Sequence, residues 1–282
     1  MLYHLSLSLS FSIYLSLGIF LVPYYFILWY LTQKNKSDAF LSGAWKVTAT
    51  LRRKTFPYGI NYVPSKSLYE GSPRKRNEVP GDVTTYQVRY GENRRKNGIQ
   101  QDNTPTKISS DRTYNAKSLN AAYDQFSTID EVQWDPKKDP TRLTLNYSTL
   151  GKDLQPLGKK KTEVYITAHK SESFQVVDSD TNTNTNTNTN TNTNTNINTS
   201  TQIFCAAERI RSVTSLPGNV IVTDTETITE FHHRVNDTTV QAISRIAVYL
   251  TPNPNSKEGI LWQDVNGKAV ALYDYDINLE RV

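Results

Sequence analysis

The 282-residue chain carries 32 basic and 27 acidic side chains, a formal charge of +5, and the surplus is local. Residues 46–96 hold twelve basic and four acidic residues, so the rest sums to −3; no nucleic-acid-binding motif joins them, and nucleic acid is not an expected partner. A single cysteine, Cys205, excludes an intrachain disulfide, while 17 Tyr and 4 Trp against one Met is the usage of a β-protein.

Residues 1–39 read as a hydrophobic targeting or membrane-anchor segment. Between residues 5 and 31 there is no charge, and Leu, Ile, Phe, Tyr and Trp dominate. Such a run is long enough to span a bilayer as a helix. Trp29 and Tyr30 sit where an interfacial aromatic belt falls, and Lys34 and Lys36 follow. Retained, the run is a single-pass anchor; removed near Ser37-Asp38-Ala39, it is a targeting signal, the reading preferred here.

Residues 40–282 read as one β-domain. Trp45, Val47, Ala49 and Leu51 alternate with Lys46, Thr48, Thr50 and Arg52, the period of a strand with one buried face. Residues 56–80 contain four prolines and form a long connection, expected as a functional flap or disordered lid. A second strand carries Tyr86, Val88 and Tyr90 on one face. Asn115 is a plausible N-cap for a short helix over residues 116–126. Val132-Gln133-Trp134 and residues 143–147 make a strand pair, and residues 163–168 alternate again.

Thr and Asn repeat strictly over residues 181–196, and the insert at 179–200 is too polar to offset the entropy of ordering. Four more strands follow at residues 203–213, 220–235, 240–250 and 269–279. Asn266-Gly267 between Trp262 and Val270 is a two-residue hairpin signal. Strands at regular spacing with one short helix predict an antiparallel barrel or sandwich.

Chemistry-bearing patterns are sparse. Neither a Gly-x-Ser-x-Gly elbow nor a phosphate-cradling glycine loop occurs. His232 and His233 are adjacent on a strand, so they face opposite sides and cannot share a metal; one of them could meet a tetrapyrrole inside the barrel. Asp224, Glu226 and Glu230 share one strand face opposite Thr223, Thr225, Thr227 and Thr229, read as the wet face of a sheet. Cys205 reads as a small buried hydrophobe.

Gly43-Ala44-Trp45 with its alternating strand, Phe56-Pro57, residues 81–90, Asp111-Arg112-Thr113-Tyr114-Asn115, Trp134-Asp135-Pro136, residues 248–252 and residues 270–275 resemble, in that order, a lipocalin-like (calycin) family of uncharacterised cyanobacterial and plastid proteins. The resemblance implies an all-β, antiparallel, lipocalin-like barrel in a chloroplast, at the thylakoid lumen or membrane. It implies that Trp45 plugs the closed end, with Arg245 packed on it and Arg281 as the reserve. Gly43, Asp111 and Arg112 are expected as structural residues, with an Asp111–Arg112 contact pinning the helix over the barrel mouth.

The expected function is binding of a small apolar ligand (pigment, tetrapyrrole or lipid) by an interior formed from Trp45, Val47, Ala49, Leu51, Tyr86, Val88, Leu145, Val164, Ile166, Val248 and Tyr273. The alternatives are a non-enzymatic assembly protein of thylakoid complexes with a filled barrel, and a lipocalin-type isomerase or cyclase. No catalytic residue, metal site or required cofactor is expected.

Overall fold

The computed structural model describes residues 40–92, 108–151, 153, 155–177, 200–216, 218–235, 237–253 and 257–282. The N-terminal segment 1–39 and the Thr-Asn insert, apart from Ser200, lie outside the described residues. No described helix is long and apolar enough to cross a membrane.

In chain order the elements are β1 (Gly43–Thr55), α1 (Lys66–Glu70), β2 (Val83–Glu92), β3 (Ile108–Ser110), α2 (Arg112–Tyr123), β4 (Ser127–Gln133), β5 (Arg142–Leu150), β6 (Pro156–Val177), β7 (Ser200–Leu216), β8 (Asn219–Arg234), β9 (Thr239–Tyr249), α3 (Lys257–Asp264) and β10 (Ala271–Arg281). All strands join one antiparallel sheet in the order β3-β2-β1-β10-β9-β8-β7-β6-β5-β4. Neighbours in sequence are neighbours in the sheet, and β10 closes back on β1. Among the described residues the sheet breaks between β3 and β4, where α2 lies in the chain. The sheet is therefore a curled half-barrel and not the hydrogen-bonded closed barrel expected from sequence.

The alternation that predicts the strands also sets the inner face. Trp45, Val47, Ala49 and Leu51 pair across to Val88, Tyr86 and Thr84 on β2 and to Leu279, Ile277 and Tyr275 on β10. The apolar ones belong to one buried core, and Thr84 is buried beside them. On the outer face, Asp274 accepts hydrogen bonds from Arg53 (2.8 Å) and Arg245 (2.7 Å), and Arg52 lies 3.6 Å from Asp276. Part of the basic surplus on β1 is thus offset by the acids of β10.

Helix α2 spans the break. Its residues Asn115 and Ser118 accept from the β2 amides of Arg89 (2.6 Å) and Gln87 (3.0 Å), and Asn115 Nδ2 donates back to the Arg89 carbonyl. On the other side Asn120 donates to the Ser127 carbonyl of β4 at 2.7 Å. Side chains of one helix thereby satisfy part of the β2 edge that a strand would otherwise cover.

The helix starts earlier than its sequence pattern suggests. Asp111 is the N-cap, its carboxylate accepting from the Tyr114 amide at 3.0 Å. Asn115 is instead fully buried in the seam. Asp111→Ala is expected to cost about 1 kcal/mol by removing this cap, read as a shift in urea midpoint at unchanged slope.

Three further expectations are corrected. Residues 56–80 are an ordered cover: a 3-10 turn (Ile60–Tyr62), α1 and a Gly71–Arg76 bridge. Leu68 of α1 enters the core, Tyr273 donates its hydroxyl to the Leu68 carbonyl, and Lys54 Nζ donates to the Tyr69 carbonyl at 2.6 Å. Asn266-Gly267 forms no strand hairpin, because its two positive φ angles (51° and 66°) serve the turn that follows α3. Three helices are present among the described residues, not one.

Candidate functional site

At the start of β1, Trp45 is 1% exposed, and its indole N–H donates to the Leu41 carbonyl at 2.8 Å. The cation over its ring is Arg281, at 4.5 Å, which also donates to the carbonyls of Ser42 and Phe40. This corrects the assignment of Arg245, which is on the outer face with Asp274. Parity explains the difference: Arg245 alternates with the inward Ser244 and Ile246, whereas Arg281 stands opposite Trp45 in the β1–β10 register. Gly43 has φ +120°, and an added Cβ would approach Arg281 Nη1 to 3.0 Å, so both backbone and space favour glycine there. His233 stacks on Phe40 at this same end, ring centroids 4.8 Å apart.

The eleven residues expected to form the interior come together. Trp45, Val47, Ala49, Leu51, Tyr86, Val88, Leu145, Val164, Val248 and Tyr273 belong to one buried core, and Ile166 packs at its margin. The interior is nevertheless amphipathic rather than purely apolar. Thr225, Thr227 and Thr229 of β8 are buried on the inner face, next to Ser244 of β9 and Glu208 of β7. Thr229 and Ser244 hydrogen-bond each other at 2.8 Å, as do Thr162 and Thr214 at 3.0 Å. The threonine face of β8 thus lines the core, and Asp224, Glu226 and Glu230 lie on the other side of the sheet.

Charged groups enter this interior at three places. Arg112, the first residue of α2, points inward, with its Nη2 3.8 Å from Glu208 Oε1 and its guanidinium 5.1 Å from the Trp134 ring centre. The expected Asp111–Arg112 contact is thereby corrected: Asp111 caps the helix while Arg112 reaches β7. Burial pushes the Glu208 carboxyl up to about 8, opposed by the adjacent guanidinium, and brings Arg112 down to about 10. Lys160 of β6 lies over the Tyr147 ring at 4.5 Å and is brought down to about 8 by burial, with Asp124 opposing. Glu78, within the cover segment, is pushed up to about 7 by burial, with Lys54 opposing.

Several buried polar atoms here have no hydrogen-bond partner: the hydroxyls of Tyr86 and Tyr90, Glu208 Oε2, Trp134 Nε1 and Thr225 Oγ1. Each such group carries a desolvation cost of roughly 1–3 kcal/mol. Two open clefts of about 690 and 440 Å³ are also present; the larger is lined mainly by residues of the outer face such as Thr48, Thr50, Gln241 and Asp276, and the smaller borders Tyr147 and Lys160. The interior is the stronger candidate, because it gathers buried donors and acceptors that no protein group satisfies.

Glu208, Trp134, Lys160 and Glu78 escape a search for catalytic motifs. Glu208 alone has a readable signal: in residues 204–210 it shares its parity with Phe204, Ala206 and Ile210. No described His, Cys, Asp and Glu form a metal-binding group. Cys205 faces outward from the core parity, and burial with the nearby Glu230 pushes its thiol up to about 11, the reverse of an activated thiolate.

Two carboxyls held above their ordinary 4.5 give a pH signature. The folded state binds more protons than the unfolded one between about 4.5 and the folded values. The stability these groups supply is present in full below about 4.5 and is lost as pH rises through about 7 and about 8. Urea titrations across this range should show that decline, and Glu78→Gln and Glu208→Gln should each flatten part of it.

Compared with known proteins, no curated protein and no solved structure matches the chain. A family model described as Domain of unknown function (DUF6816) matches residues 39–282, and the chain belongs to that family.

Proposed function

We propose, for this DUF6816 chain, a lipocalin-like binding protein of plastid type, at the thylakoid lumen or membrane, that holds a small, largely apolar ligand inside its half-barrel. A pigment, tetrapyrrole or lipid fits the resemblance of the sequence. The observation that carries the reading is the set of buried, unpartnered polar atoms on the amphipathic inner wall. Such atoms are costly in an empty or perfectly filled core and become favourable once a ligand supplies partners. The protein acts by binding and not by turnover in this reading.

A second reading is a filled barrel serving assembly of a thylakoid complex. The inward tyrosines favour it, since Tyr86, Tyr90, Tyr147, Tyr273 and Tyr275 all occupy interior volume. One experiment separates the two. The full chain in mild detergent is mixed with a thylakoid pigment and lipid extract, then examined by native mass spectrometry and absorption. A retained stoichiometric adduct is the expected result. A clean apo mass, with the extract components demonstrably present, would sink the binding reading, and a pull-down from thylakoids would then test the assembly role.

A further inference from the structure

Where one strand of an antiparallel sheet outruns its neighbour, its outer backbone groups are left as a template for another chain. Strand β6 spans Pro156–Val177, but β5 pairs with it only as far as Tyr165, and the Ile166 amide donates to the Thr141 carbonyl at 2.8 Å. From Thr167 onward β6 pairs on one side alone, with β7, and no described strand lies along its other edge. The register shifts at Thr167. Beyond it His169, Ser171 and Ser173 follow the inward parity of Glu208, Ala206 and Phe204, while Ala168, Lys170, Glu172 and Phe174 face outward. The edge is open to solvent: the side chains of Lys170 and Glu172 are 76% and 61% exposed, and Phe174 is 46% exposed. No proline interrupts residues 167–177. A guard of one sign of charge would repel a second copy, but Lys170 and Glu172 are opposite in sign and two residues apart.

We propose that the free edge of β6 pairs antiparallel with the same edge of a second copy of this chain, about a two-fold axis at Ser171. This surface is separate from the interior, so it stands or falls independently of the binding reading.

The charge pattern selects the register. A two-fold axis perpendicular to the sheet sets residues of the same face directly opposite one another. Placed at Ser171, it sets Lys170 of each copy against Glu172 of the other. It also sets Phe174 against the small Ala168, and His169 against Ser173. An axis at Lys170 or at Glu172 would put like charges directly opposite, which is destabilising. An axis at His169 would put both charges against Ala168 and Ile166, and one at Ser173 against Val176 and Phe174, leaving them unmatched. Lys170 and Glu172 already meet within one chain at 2.5 Å, so both are placed on the same face for the exchange of partners across the axis.

The test uses the full chain in mild detergent, followed by sedimentation equilibrium with the detergent density-matched. A concentration-dependent dimer is the expected result. Lys170→Glu and Glu172→Lys should each weaken it at least about tenfold by opposing like charges, and the double reversal should restore it to within about threefold. In a Cys205→Ser background, Ser171→Cys should form an interchain disulfide on mild oxidation, because a residue on the axis faces its own copy. His169→Cys should not, since it faces Ser173. Lys170, Glu172 and His169 are exposed and Ser171 is half-buried, so the variants spare the core. A chain that stays monomeric at every concentration overturns the proposal. So does a dimer indifferent to the reversals, or one that His169→Cys traps as readily as Ser171→Cys.

Discussion

Trp45→Ala is expected to lower the free energy of unfolding by about 3–5 kcal/mol, the range for emptying a large aromatic site in a packed core. Three contacts vanish together. The side chain is fully inside the core, its N–H bond to the Leu41 carbonyl holds the segment before β1, and its face carries Arg281 of β10. Trp45→Phe keeps most of the volume and the ring face but not the N–H, so its cost should approach the roughly 1 kcal/mol of a single hydrogen bond. Urea unfolding of both variants at equal slope measures the two numbers. A loss under about 1 kcal/mol for the alanine variant would show that this end of the sheet closes without Trp45.

Arg112→Ala has the second large expected effect, a loss of about 3–5 kcal/mol above about pH 9, where Glu208 is ionised in the parent and is left with no countercharge in the variant. The double variant Arg112→Met/Glu208→Leu should return to within about 1 kcal/mol of the parent, since both desolvation costs go together. The single variant's deficit should also shrink as pH falls through about 8. Burial already raises the Glu208 carboxyl, and removing the guanidinium that opposes this raises it further, so protonation relieves the defect. A double variant less stable than the single one would mean that the pair is part of a larger network.

Strand periodicity was legible wherever one face is dry. In β1, β9 and β10 the alternation of apolar and polar residues names the inner face directly. It gave much less for β6, whose distal half carries Lys170, Ser171 and Glu172, polar on both faces, so only residues 163–168 stood out of a strand spanning Pro156–Val177. Helix α3 was hidden because Asn266-Gly267 reads equally as a hairpin turn or as the end of a helix; local φ preference does not distinguish them.

The apolar wall of the site was legible for the same reason as the strands. Its polar members were not. Arg112 precedes the helical apolar pattern, Trp134 follows the end of an edge strand, and Glu208 lies 96 positions further along the chain than Arg112. Only the curl of the sheet brings Arg112 to β7. Parity marks Glu208 as inward, but a lone carboxylate among alternating residues is ordinarily read as a solvent position, and nothing local overrules that.

The two sides of the seam are joined through Asn115, Ser118 and Asn120. The amide protons of Gln87 and Arg89 are therefore guarded by a helix that can depart while every strand pair survives. They should exchange with deuterium sooner than the amides of β9, at a rate set by undocking of α2 and not by global unfolding. The seam of the half-barrel is clasped by α2, and the clasp bears Arg112, so each undocking also withdraws the guanidinium from the interior.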